Sequence, residues 1–178
     1  AKKPKALLLD EPLSALDKKL REETQFELMD IQETLGTTFI VVTHDQEEAM
    51  TLGTRIGVMD QGRLVQVDAP RDLYEYPKNR FIADFVGSVN VFEGQVTEDE
   101  SAHLRVASEG LGGEIYIDHG MSCQLGQTVW VAVRPEKLRL HRDAPQGPVG
   151  GAAQGVVEDI AYMGGLSHYR VGLPSGQR

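Results

Sequence analysis

Cysteine is nearly absent from these 178 residues. Cys123 stands alone, so no internal disulfide can brace the fold, and a reducing compartment, the cytoplasm, is the expectation. Basic residues are in deficit as well, with 18 Lys plus Arg against 27 Asp plus Glu and a formal charge of −9. Affinity for nucleic acid comes largely from cationic side chains that neutralise phosphates, so no nucleic-acid partner is expected. Long apolar runs are missing too: VWVAV at 129–133 falls far below the roughly 20 residues that cross a bilayer as a helix. The polypeptide is expected not to span a membrane by itself. What remains is 40% hydrophobic and 25% charged, the composition of a packed globular chain.

Glycine is spread unevenly, with 5 of 19 in residues 1–87 and the other 14 in residues 88–178, which sets a domain boundary near Gly87. The first part alternates strand-like and helix-like patterns. Ala6–Leu9 and Phe39–Thr43 are continuous apolar or β-branched runs, the kind buried on both faces of a parallel sheet. Between them Leu16, Leu20, Leu28, Ile31 and Leu35 recur at helical spacing, and Gly36 stops the helix. Asp45 caps a second helix over Gln46 to Leu52, with Glu48 three residues on as an Asp variant of the capping box. Ile56–Met59 and Leu64–Val67 flank DQGR as a hairpin with Gly62 in the turn. Pro70 opens a short helix to Tyr76. NRFIADFVG sets Phe81, Ile82, Phe85 and Val86 on one face of a last helix ended by Gly87.

From Val91 onward the pattern becomes VFEGQV, HLRV, EIYID, TVWVAVR, KLRLH, GVVEDIAY and HYRVGL, short strands that predict a small barrel or sandwich. Residues 143–155 form a Gly, Pro and Ala loop. Tyr116, Trp130, Tyr162 and Tyr169 could form a stacking platform for single strands, but residues 88–178 carry 7 Lys plus Arg against 11 Asp plus Glu. Core packing is the expected role. His103, His119, His141 and His168 show no ligand spacing, so they are expected on surfaces or loops.

Ligands bind outside the carboxyl ends of strands in open parallel sheets. Asp10 and Glu11 follow the first strand and His44 follows the second, so right-handed crossover brings all three toward one edge. An acid ending a buried strand holds Mg2+ directly or through water, and a second acid can polarise an attacking water. Read alone, the two acids would equally suit the N-terminus of the following helix, Asp17 a solvated helix position, and His44 a structural role. Pro12 has no amide hydrogen and turns Glu11 away from helical angles, directing the chain out of the strand.

LLLDEP, then SALD, then VVTHD resembles the C-terminal half of the nucleotide-binding subunit of ABC transporters. RFIADFVGSVNVFEG, VAVRPEKLRL and AYMGGLSHYRV resemble the linker and accessory OB-type (TOBE) domain of importers for polyamines, sugars, sulfate or iron, and GSVNVFEG is most similar to the ATP-binding subunits of putrescine importers. The resemblance implies an α/β fold over residues 1–87, the C-terminal part of a P-loop NTPase domain, followed over 88–178 by an incomplete all-β, OB-like TOBE domain. It implies ATP and Mg2+ as cofactors, with Asp10 assisting the metal through water, Glu11 as general base, His44 contacting the γ-phosphate and Asp17 in a loop that works across a dimer of two ATPase subunits. The implied partners are transmembrane permease subunits and, indirectly, a periplasmic binding protein, with the subunit peripheral on the cytoplasmic side of the inner membrane.

Nothing before Ala6 supplies GxxxxGK followed by Ser or Thr, and the LSGGQ signature is missing too. The chain is therefore expected to be an internal piece of such a subunit, cut at both ends, and by itself neither to bind ATP tightly nor to hydrolyse it. The alternative expectation is a non-enzymatic regulatory or ligand-sensing module formed by residues 88–178.

Overall fold

The two apolar runs of the first part form strands β1 (Ala6–Asp10) and β2 (Thr38–Val42), paired in parallel from Ala6 opposite Thr38 to Asp10 opposite Val42. They belong to a computed structural model that describes residues 4–118, 122–145 and 150–178. The chain divides into two compact units, residues 1–88 and 89–178.

In the first unit, helix α1 (Lys18–Leu35) makes the crossover between the parallel strands. The Asp17 carboxylate caps it by accepting the Leu20 N–H at 3.1 Å. Gly36 closes it at φ 58°, the left-handed conformation that costs glycine no steric clash. The helix does not bury the stripe expected from the leucine spacing: Leu20, Ile31 and Leu35 are exposed, and Gln25 is the buried residue. Its inward face instead runs Arg21, Gln25, Leu28, Gln32, at three- and four-residue steps. Burial of β1 and β2 on both faces is likewise corrected, since Leu8 is 68% and Ile40 53% exposed. Burial on both faces needs flanking strands and two covering layers, and among the described residues β1 pairs only with β2.

Helix α2 (Gln46–Leu52) follows β2, and the hairpin β3 (Ile56–Asp60) and β4 (Arg63–Asp68) follows α2. Gln61 and Gly62 both take positive φ in its two-residue turn, the pattern of a type I′ hairpin. Helices α3 (Pro70–Glu75) and α4 (Arg80–Phe85) complete the unit, with Leu73, Ile82 and Val86 joining Val58 in a small core. The face expected on α4 splits: Ile82 and Val86 are buried, while Phe81 and Phe85 stack on each other at 5.7 Å and stay exposed.

The second unit is all β. Strands β5 (Asn90–Asp99), β6 (Leu104–Ser108), β7 (Gly113–Ile117) and β8 (Thr128–Val133) form one antiparallel sheet in the order β7-β6-β5-β8. One face packs Phe92, Val96, Leu104, Val106, Ile115 and Val131 together. Strands β9 (Val156–Tyr162) and β10 (Ser167–Gly172) form a separate antiparallel hairpin, so the expected barrel or sandwich is grouped as four strands and two. KLRLH is not a strand. Pro135, which lacks an amide hydrogen, opens a single 3-10 turn (Pro135–Lys137), and Leu138 and Leu140 beyond it are exposed. The aromatic residues expected in the core lie outside it: Tyr116, Trp130, Tyr162 and Tyr169 are all exposed. Trp130 faces away because Val131, its neighbour, takes the inward position. His103, expected on a surface or loop, stacks on Tyr116 at 5.1 Å with Nε2 3.3 Å from Glu98. His119 and part of the 143–155 loop lie outside the described residues.

Candidate active site

Parallel pairing places the ends of β1 and β2 side by side, with Asp10 opposite Val42. The ladder runs one step further, because the Glu11 N–H donates to the Val42 carbonyl at 2.7 Å. Glu11 then turns sharply. Its φ is 45°, the left-handed region that a residue before proline rarely occupies. The turn is held by the Ser14 amide and hydroxyl, both donating to the Glu11 carbonyl at 3.3 and 3.0 Å. This strained corner aims the Glu11 carboxylate sideways toward the end of β2.

There it meets His44. Nδ1 of His44 lies 2.9 Å from Oε1 of Glu11, and both side chains are open to solvent at 76% and 48%. With the proton on Nδ1 directed to the carboxylate, the ring keeps Nε2 free to engage a substrate atom. Asp10, one residue back, is exposed, and its carboxylate makes no hydrogen bond or ion pair among the described residues. Its hard oxygens, beside those of Glu11, suit Mg2+, which takes one or two carboxylates and completes its shell with water and phosphate. Among the described residues no three His, Cys, Asp or Glu side chains converge on one point. Asp17, the other residue singled out, is engaged as the cap of α1.

The segment carrying His44 is fixed by a polar lattice that the sequence reading did not foresee. The Asp45 carboxylate accepts the Glu48 N–H at 3.1 Å, capping α2. The return half of the expected capping box is missing. Glu48 does not reach back to the Asp45 amide, because its carboxylate accepts the Thr43 hydroxyl at 2.7 Å, and that same hydroxyl accepts the Asp45 N–H at 3.0 Å. Glu48 is 1% exposed, with Oε1 lacking any partner. Arg21 of α1 reaches the other Asp45 oxygen at 2.6 Å and the Leu16 carbonyl at 3.1 Å. Only the long-range placement of Arg21 reveals that pairing. Its spacing on α1 does not name Asp45, 24 residues away.

A cavity of about 150 Å3 lies beside this lattice, lined by Leu9, Met29, Phe39, Val41, Glu48 and Ile56 among others. Asp10, Glu11 and His44 do not line it, and all three are exposed.

Residues 131–178 match the TOBE domain family. Across nearly its whole length the chain is similar to curated transport proteins. It is 49% identical over 177 residues to the putrescine transport ATP-binding protein PotG of Escherichia coli, covering 99% of this chain and 47% of that protein. It is 47% identical over 174 residues to the spermidine/putrescine import ATP-binding protein PotA of Chromobacterium violaceum, covering 98% of this chain and 48% of that protein. The protein of the same name from Pseudomonas aeruginosa is 43% identical over 176 residues, covering 99% and 48%. The chain spans about half the length of the curated relatives it matches. By these matches the chain is similar along nearly its whole length to ATP-binding proteins of putrescine and spermidine transport, and its residues 131–178 to the TOBE domain.

Proposed function

We propose that these residues are the hydrolytic rim and the accessory-domain segment of an ATP-driven importer subunit for polyamines. The observation that carries this reading is the 2.9 Å contact between Glu11 and His44 at the ends of neighbouring parallel strands. In this reading the Glu11 carboxylate takes the proton of the attacking water. His44 orients that carboxylate through Nδ1 and presents Nε2 to the terminal phosphate. Asp10 is the Mg2+ ligand, through water. The metal supplies charge neutralisation of the phosphate oxygens. Asp17, at the head of α1, is assigned to the interface with a second copy of the subunit.

Residues 1–87 are assigned to the nucleotide-binding domain and 88–178 to the TOBE accessory domain. Putrescine and spermidine, named in the relatives, are the proposed cargo. Transmembrane permease subunits are the proposed partners, with a binding protein upstream of them. No helix among the described residues is long and apolar enough to cross a membrane. A peripheral seat on the permease, on the cytoplasmic face, is the proposed location. The 178 residues contain no GxxxxGK phosphate loop, whose aligned amides and lysine hold the triphosphate, so this stretch alone is expected neither to bind ATP tightly nor to turn it over.

The test is ATP hydrolysis by the natural polypeptide that carries these residues, assembled with its permease, beside the Glu11→Gln and His44→Ala variants. A general base contributes about 10²- to 10⁴-fold, so Glu11→Gln should lose at least the lower figure while retaining ATP binding. Turnover that is unchanged in both variants removes the rim from the chemistry.

A further inference from the structure

Arg21 touches both of the chain segments that bear the candidate dyad. Its Nη2 donates to the Leu16 carbonyl at 3.1 Å, at the end of the turn that starts with Glu11. Its Nη1 meets Asp45 Oδ2 at 2.6 Å, one residue beyond His44. Those two segments are otherwise joined near the site by the hydrogen bond from the Glu11 N–H to the Val42 carbonyl and by the exposed Glu11–His44 contact itself. An exposed pair of this kind holds its own geometry poorly, because water competes for both groups. The guanidinium is better placed to do so. It is only 30% exposed, its Asp45 partner only 25%, and its planar fork satisfies two acceptors at once.

Further links run inward from Asp45. Its other oxygen caps α2 through Glu48, and its amide is held by Thr43. Residues 43–45 are thus pinned on both sides of His44. On the other strand the turn from Glu11 to Leu16 is closed by the bond from the Leu16 amide to the Leu13 carbonyl, and buried Leu13 anchors it. Arg21 Nε is left buried without a partner, an unfavourable arrangement retained in a side chain whose other nitrogens bridge the two segments.

We infer that Arg21 is a positioning residue that locks the segments bearing Glu11 and His44 into one register. The inference rests on the proposed function for its catalytic consequence, but the brace itself is measurable without nucleotide. The test compares hydrogen–deuterium exchange of the peptides covering residues 11–17 and 43–48 in the wild-type chain with that in Arg21→Ala, Arg21→Lys and Asp45→Asn. Arg21→Ala should raise exchange several-fold in both segments together, and Asp45→Asn should do the same. Arg21→Lys should protect one segment only, since a single ammonium cannot serve both acceptors in this geometry. Loosening confined to α1, or none, overturns the brace.

ATP hydrolysis by the natural polypeptide separates the two claims. If Glu11→Gln and His44→Ala lose turnover, Arg21→Ala should lower kcat at least tenfold with little change in the KM for ATP, and Arg21→Lys should recover part of it. Wild-type kcat in Arg21→Ala, alongside inactive Glu11→Gln, sinks the positioning role and leaves the site assignment standing. Wild-type kcat in Glu11→Gln sinks the site assignment, while the exchange result still decides the brace.

Discussion

Nδ1 of His44 stands 2.9 Å from Oε1 of Glu11, although 33 positions separate them in the chain. The contact depends on an unfavourable backbone angle, φ 45° at Glu11, directly before Pro12. Left-handed conformations cost an L-residue about 1–2 kcal/mol, and strain of this kind gathers at functional corners. Glycine escapes that cost at the expense of unfolded-state entropy. The Glu11→Gly variant should therefore be more stable than Glu11→Ala by about 1 kcal/mol, within the range of the left-handed penalty. Urea denaturation of the 178-residue polypeptide measures this. Equal midpoints would mean that the corner relaxes and the carboxylate is not held by backbone geometry.

Thr43 carries a second prediction. Its hydroxyl serves Glu48 and the Asp45 amide together, and Glu48 Oε1 already lacks a partner. Replacing Thr43 by Val keeps the shape and removes the only bond, among the described residues, to a carboxylate that is 1% exposed. Leaving such a group unsatisfied costs about 1–3 kcal/mol, so Thr43→Val should fall by that amount in chemical denaturation. Thr43→Ser, which keeps the hydroxyl, should stay near wild type. A Thr43→Val chain as stable as wild type would mean that water replaces the hydroxyl there.

Local signals in the sequence were enough for most of the elements, though not for KLRLH, where a 3-10 turn stands in place of the expected strand. Gly36, Asp45, Pro70 and the Gln61-Gly62 turn each act within four residues of their own position, and each marks a boundary the structure has. Strand order also carried the site, since parallel pairing brings Glu11 and His44 together without any knowledge of side chains. Burial was less legible. The spacing of Leu20, Ile31 and Leu35 states that a helix has an apolar stripe, but not that anything covers it, and α1 turns Gln25 inward instead. The Arg21–Asp45 pair was not legible at all, because a long-range ion pair leaves no periodic trace.

The aromatic residues of the second unit give a direct check of that correction. Trp130 is the only tryptophan, lies opposite Glu93 on the outer face of the sheet and is 54% exposed. Its fluorescence should be that of a water-exposed indole, strongly quenched by acrylamide. Trp130→Ala should change stability by no more than about 0.5 kcal/mol, as surface substitutions do. Leu104→Ala, which empties a buried position, should cost about 2–5 kcal/mol. A blue-shifted, unquenched Trp130 would restore the core reading.

Gly94 in strand β5 and Gly112 in the turn that leads into β7 separate steric from conformational need. At Gly94 a Cβ would lie 2.5 Å from the Ala107 carbonyl oxygen and 2.6 Å from Val106 Cγ1, so strand β6 is too close for any side chain. At Gly112 a Cβ would meet nothing within 4 Å, but φ is 76°. Gly94→Ala should destabilise by about 1–3 kcal/mol through overpacking, and Gly94→Asn should be worse, because a longer side chain deepens the clash. At Gly112 the order should reverse. Asn tolerates left-handed angles better than Ala, so Gly112→Asn should be milder than Gly112→Ala. Denaturation midpoints of the four variants test both orders. If Asn is milder at both sites, the close approach of β6 to Gly94 is not what excludes a side chain there.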